Sequence, residues 1–149
     1  GLSNQQGITG GVLLNVGGII GGVLFGFLSS KLRLKRLTAA YLVITAAALV
    51  LFGMFASRLD MAFTIAVLIG AFIFGSMAGM YALAPRIYPS AIRTTGMGWS
   101  IGIGRIGAIL APTIVGVLID AGWKTADLYY VFSIPLIVAM LTVLAIREG

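Results

Sequence analysis

Residues 94–119 read TTGMGWSIGIGRIGAILAPTIVGVLI, a long apolar run in which Arg105 is the sole charge. At about 1.5 Å per helical residue, such a run is long enough to cross a hydrocarbon core of about 30 Å. Runs without any charge lie on either side of it, at 1–30, 37–57, 61–85 and 128–146. Each of the five can hold one helical span, at about 8–29, 38–57, 61–84, 95–119 and 128–146. Composition agrees, with hydrophobic residues at 60% and charged residues at 9%, well outside the range of a soluble domain. The expected fold class is therefore an all-α integral membrane protein with five transmembrane helices. Gly1 stands where an initiating Met would, and five spans without a visible repeat read as a piece of a longer protein.

The charges between the spans set an orientation. If the spans alternate, Lys31, Arg33, Lys35, Arg36, Arg86, Arg93 and Arg147 flank one side of the membrane, and only Arg58 and Lys124 flank the other. The positive-inside rule then places the 31–36 loop, the 86–93 loop and the C-terminus in the cytoplasm. The net charge of +6 is accounted for by this topology and by contact with anionic lipid. A nucleic-acid surface is not expected, because the cations lie in short loops against spans and form no continuous patch. Asp60 and Asp127 are placed to cap the third and fifth spans. Pro85 and Pro89 bracket the third connection and predict a break there, while Pro112 and Pro135 fall inside spans and predict kinks.

Glycine is spread unevenly. The first span holds Gly10, Gly11, Gly17, Gly18, Gly21, Gly22 and Gly26, the third Gly70, Gly75 and Gly79, and the fourth Gly96, Gly98, Gly102, Gly104, Gly107 and Gly116; the second has only Gly53 and the fifth has none. A helical glycine costs about 1 kcal/mol relative to alanine, so helices that keep many are expected to need close backbone approach. Gly18, Gly22 and Gly26, and likewise Gly98 and Gly102, repeat at four and read as packing ridges. On this pattern spans one, three and four form a closely packed working set. Spans two and five read as lipid-facing supports, with Ala48 on such a face.

Intramembrane polar groups follow the same division: Asn15 in the first span, Ser76 and Tyr81 in the third, Ser100 and Arg105 in the fourth. Arg105 lies ten residues beyond Thr95, about 15 Å along the helix and too deep to reach either headgroup layer. Asp60, Asp120, Asp127 and Glu148 all lie at loops or termini, so none is placed to neutralise it. One reading makes Arg105 the ligand of a substrate carboxylate through its two-pronged guanidinium; the other makes it a structural ion pair or a cap on broken-helix carbonyls. Asn15 reads as cavity lining or as an interhelical hydrogen bond. Tyr81 and Trp99 read as ligand platforms or as interface aromatics. Gly102, Gly104 and Gly107 match the dinucleotide pattern G-x-G-x-x-G, but no strand precedes them and the pattern carries no nucleotide site here. With no His, no Cys and no paired intramembrane carboxylates, neither metal binding nor nucleophilic catalysis has a candidate, and no enzyme activity or cofactor is expected.

Gly26-Phe-Leu-Ser-Ser30-Lys31-Leu-Arg33-Leu-Lys35-Arg36 resembles the loop signature G-x-x-x-D-[RK]-x-G-[RK]-[RK] of the major facilitator superfamily. Ser30 stands in place of the acid and Arg33 in place of the glycine, which removes a carboxylate latch from this loop. The stretch from Ala84-Pro85-Arg86 through Tyr88-Pro89-Ser90 and Arg93 to Gly98 resembles the connection between helices ten and eleven of its sugar-porter and organic-acid branches. Gly104-Arg105-Ile106-Gly107-Ala108 through Pro112 is similar to helix eleven of the aromatic acid:proton symporters. The resemblance implies that residues 1–149 are helices eight to twelve of a twelve-helix fold, the C-terminal half without its first helix. It further implies alternating access between two halves, a proton gradient as energy source, and coupling acids in the N-terminal half.

The function expected on these grounds is proton-coupled uptake of a small aromatic or related organic carboxylate, in a bacterial inner membrane. Arg105, Asn15, Ser76 and Tyr81 would contact substrate. Lys31, Arg33, Lys35, Arg36, Arg86 and Arg93 would meet lipid or the N-terminal half at a cytoplasmic gate. The alternatives are a sugar or polyol porter or a drug exporter of the same superfamily, or a membrane scaffold or sensor that transports nothing.

Overall fold

The computed structural model describes residues 3–55 and 57–146. Arg147 and Glu148 lie outside the described residues. Five helices follow one another: α1 (Asn4–Ser29), α2 (Leu34–Phe55), α3 (Leu59–Ile87), α4 (Arg93–Asp120) and α5 (Thr125–Ala145). All five are long and apolar enough to cross a membrane.

Helix ends depart from expectation in ways that local chemistry explains. Asp60 and Asp127 sit inside the first turns of α3 and α5, where their charge faces the positive end of the helix dipole; the N-cap positions belong to Arg58 and Lys124, which make no side-chain cap bond. The side-chain cap that forms is on α1, where Ser3 and Gln6 make a reciprocal capping box. α3 runs through Pro85 to Ile87, so the expected break falls at Pro89 alone. A proline near a helix C-terminus removes only one bond of the last turns, which the helix tolerates. Gly122, with φ +88°, closes α4: its amide donates to Ile119 and that of Trp123 to Leu118, the Schellman arrangement that a left-handed glycine permits.

α1 and α3 run parallel and in backbone contact. Gly17 faces the carbonyl of Val67, Gly21 that of Ala71 and Gly70 that of Leu14, each too close for a side chain. In lipid, association rests on such close van der Waals fit because burial away from water adds nothing between spans. The close approach therefore runs through Gly17 and Gly21, one residue round the helix from the ridge expected at Gly18, Gly22 and Gly26. A Cβ at Gly18 would lie 2.8 Å from the Phe74 ring, whereas a Cβ at Gly22 or Gly26, or at Gly98 or Gly102 of α4, would meet no neighbouring element within 4 Å.

α2 corrects the division of labour. It packs on α3 along one side and on α5 along another, and half of its apolar window is buried, compared with none of that of α4. Leu42, Thr38 and Thr45 are enclosed, and Ala48 is buried with them. Both threonines donate to carbonyls of their own helix, Thr38 to Leu34 and Thr45 to Tyr41, which leaves a small, saturated face for neighbours. Tyr41 anchors the centre, edge-on to Phe25 of α1 at 5.0 Å and to Phe72 of α3 at 4.9 Å. At the far end Phe52 meets Tyr129 of α5 at 4.8 Å. The helices rich in glycine are thus not the most enclosed ones within this chain.

Candidate functional site

α4 touches the rest of the bundle sparsely; it adjoins α3, and there the two helices border a cleft of about 410 Å³. Met77, Met80 and Tyr81 line it from α3; Met97, Ser100 and Arg105 line it from α4. Arg105 is midway along α4. The three acids among the described residues, Asp60, Asp120 and Asp127, lie at helix ends, and none lines the cleft. The site therefore combines one fixed positive charge with polarisable, apolar walls. Such a surface suits a small organic anion with an unsaturated body, since a guanidinium pairs with a carboxylate and thioethers pack favourably on ring edges.

Of the residues expected at the site, the structure brings Arg105 and Tyr81 together and leaves two elsewhere. Asn15 lies on an exposed face of α1 and donates to the carbonyl of Gly11 at 2.8 Å, a bond within its own helix. Ser76 is buried, donates to Phe72 at 2.7 Å and does not line the cleft. Trp99 lies across α4 from the cleft, on a shallow groove with Gly98 and Gly102.

The sequence reading did not point to the cleft's methionines, nor to the contact that holds Ser100. Met77, Met80 and Tyr81 recur at three and four residues, the spacing of one helix face, and that signal was present. Ser100 is fixed from outside the helix: Tyr88, in the α3–α4 connection, folds back so that its ring lies 2.6 Å from the point where a Gly96 Cβ would sit, and its hydroxyl is 2.8 Å from that of Ser100. Ser100 in turn donates to the Gly96 carbonyl at 2.9 Å.

Six of the basic residues gather at one end, and Arg58 and Lys124 lie at the other, at the starts of α3 and α5. Lys35 donates to the carbonyl of Ile146 and so joins the start of α2 to the end of α5. Lys31 lies over the Phe27 ring, 4.6 Å from its centroid. Arg33, Arg36, Arg86 and Arg93 are exposed, with Arg86 in the last turn of α3 and Arg93 opening α4.

Five helices long and apolar enough to cross a membrane, one of them carrying a charge midway along it beside a cleft, define a helical membrane protein. The chain belongs to the Major Facilitator Superfamily, which it matches over residues 1–148. It is 33% identical over 135 residues to the benzoate transport protein of Acinetobacter baylyi, covering 91% of this chain and 29% of that protein. Its identity to the 4-hydroxybenzoate transporter PcaK of Pseudomonas aeruginosa is 28% over 144 residues, 97% of this chain and 32% of the relative. With the 3-(3-hydroxy-phenyl)propionate transporter of Escherichia coli it shares 32% over 139 residues, 87% of this chain and 32% of the relative. The chain thus spans about a third of the length of these relatives. No solved structure matches it.

Proposed function

We propose that the chain is helices eight to twelve of a proton-coupled transporter for small aromatic carboxylates, and that Arg105 holds the carboxylate. The observation that carries this reading is the cleft between α3 and α4, where a mid-span guanidinium stands among three methionines and a tyrosine without a carboxylate in the lining. An isolated charge at that depth is costly, and a bound anion with two parallel charge-assisted bonds offsets the cost. Each thioether–ring contact adds about 0.3–1.5 kcal/mol, which favours an aromatic body over an aliphatic one of equal size. The relatives, named for benzoate, hydroxybenzoate and a hydroxyphenylpropionate, support the same class.

In this mechanism the rest of the transporter packs on the exposed faces of α4 and α1, and the two halves rock about the midplane site to expose it to either side in turn. The coupling acids belong to the N-terminal half, and the basic end of the bundle faces the cytoplasm of a bacterial inner membrane. The test is uptake by cells expressing the full-length protein, offered labelled benzoate, 4-hydroxybenzoate and a neutral hexose. Accumulation of the acids, abolished by a protonophore, is expected. Accumulation of the hexose alone overturns the reading.

A further inference from the structure

The polar wall of the cleft is asymmetric in donors and acceptors. Arg105 offers only donors. Ser100 lies on the same cleft, five residues toward the start of α4 and about 7.5 Å along its axis, roughly the length of one substituted aromatic ring. Its single proton is committed to the Gly96 carbonyl at 2.9 Å. The 2.8 Å contact with Tyr88 must then be donated by the tyrosine, which commits that proton as well. What remains at this end of the cleft is one lone pair on the Ser100 oxygen. A second carboxylate brought there would find no donor, and a bare C–H edge would leave the oxygen unmatched. A hydroxyl on the ring would donate to it.

Given the reading of Arg105 as the carboxylate ligand, we infer that Ser100, held in place by Tyr88 and Gly96, is the residue that selects a ring hydroxyl on the side of the substrate away from its carboxylate. Tyr88 is a positioning residue in this arrangement. Its ring against Gly96 fixes the hydroxyl that orients Ser100, and a side chain at position 96 would displace it.

The experiment is calorimetric titration of the purified full-length transporter with 4-hydroxybenzoate, 4-fluorobenzoate and benzoate. 4-Fluorobenzoate has nearly the shape of 4-hydroxybenzoate and cannot donate. The unaltered protein is expected to bind 4-hydroxybenzoate roughly three- to tenfold more tightly than 4-fluorobenzoate, the effect of one hydrogen bond. Ser100→Ala should remove that preference while benzoate, relieved of an unmatched oxygen, binds at least as tightly as to the unaltered protein, which also reports that the variant is folded. Equal affinity of the unaltered protein for the hydroxy and fluoro acids, with benzoate still bound, overturns the role of Ser100 and leaves that of Arg105 standing. A preference that persists in Ser100→Ala overturns it too. Failure of the unaltered protein to bind any of the three acids overturns both.

Discussion

Gly122 shows how much can rest on one residue. Its φ of +88° lies in the left-handed region, and two amides bond back to α4 because of it. Any L side chain there strains the backbone by about 1–2 kcal/mol. Gly122→Ala is expected to lower the thermal midpoint of the detergent-purified protein by a few degrees without changing substrate affinity, as followed by differential scanning fluorimetry. An unchanged midpoint would contradict the helix-stop role. Among the glycines, this one was not legible as special from the sequence, because a turn glycine and a packing glycine are the same letter. That Arg105 stands alone among the apolar residues of α4 was legible, since a lone charge inside an apolar run has few explanations. The partners of Asn15 and Ser76 were not legible, because short polar side chains can satisfy themselves on the preceding turn of their own helix, as both do here.

At the scale of helices, the spans themselves were plain from the uncharged runs, and all five form with ends shifted by a few residues. Which helix packs on which was harder to read. Glycine number suggested α4 as a packed helix, yet no α4 residue is buried within this chain; the enclosed helix is α2, whose stripe of Thr38, Leu42 and Thr45 carries the helical period without glycine. Frequency of a residue is a weaker guide than its position on the contacting face. Two consequences separate the readings. Gly21→Leu, which drives a side chain into the Ala71 backbone, and Ala48→Leu, which overfills a buried position, should each destabilise by about 1–3 kcal/mol or more and cut the folded yield. Gly22→Ala, one residue along, where an added Cβ would meet no neighbouring element within 4 Å, should leave yield unchanged. Monodisperse yield on size-exclusion chromatography checks all three, and greater damage from Gly22→Ala than from Gly21→Leu would contradict the observed register.

For the molecule as a whole, alternation of the spans puts the 30–33 and 88–92 connections and the end of α5 at one end, as the Lys35–Ile146 tie requires. Cysteines replacing the exposed Arg33 and Ser90 should react with an impermeant maleimide only from the cytoplasmic side, and one replacing Lys124 only from outside. Labelling of all three from one side would contradict the five-span arrangement. The claim on which the account turns is that the α3–α4 cleft binds an aromatic carboxylate through Arg105. Its most direct test is the affinity of purified, monodisperse full-length Arg105→Ala for benzoate, with Arg105→Lys beside it. Loss of a charge-assisted bond of about 1.5–3 kcal/mol predicts a fall of at least about tenfold for the alanine variant. The lysine variant, which keeps the charge and loses the planar fork, should fall between the two. Benzoate affinity in Arg105→Ala equal to that of the unaltered protein would contradict the account.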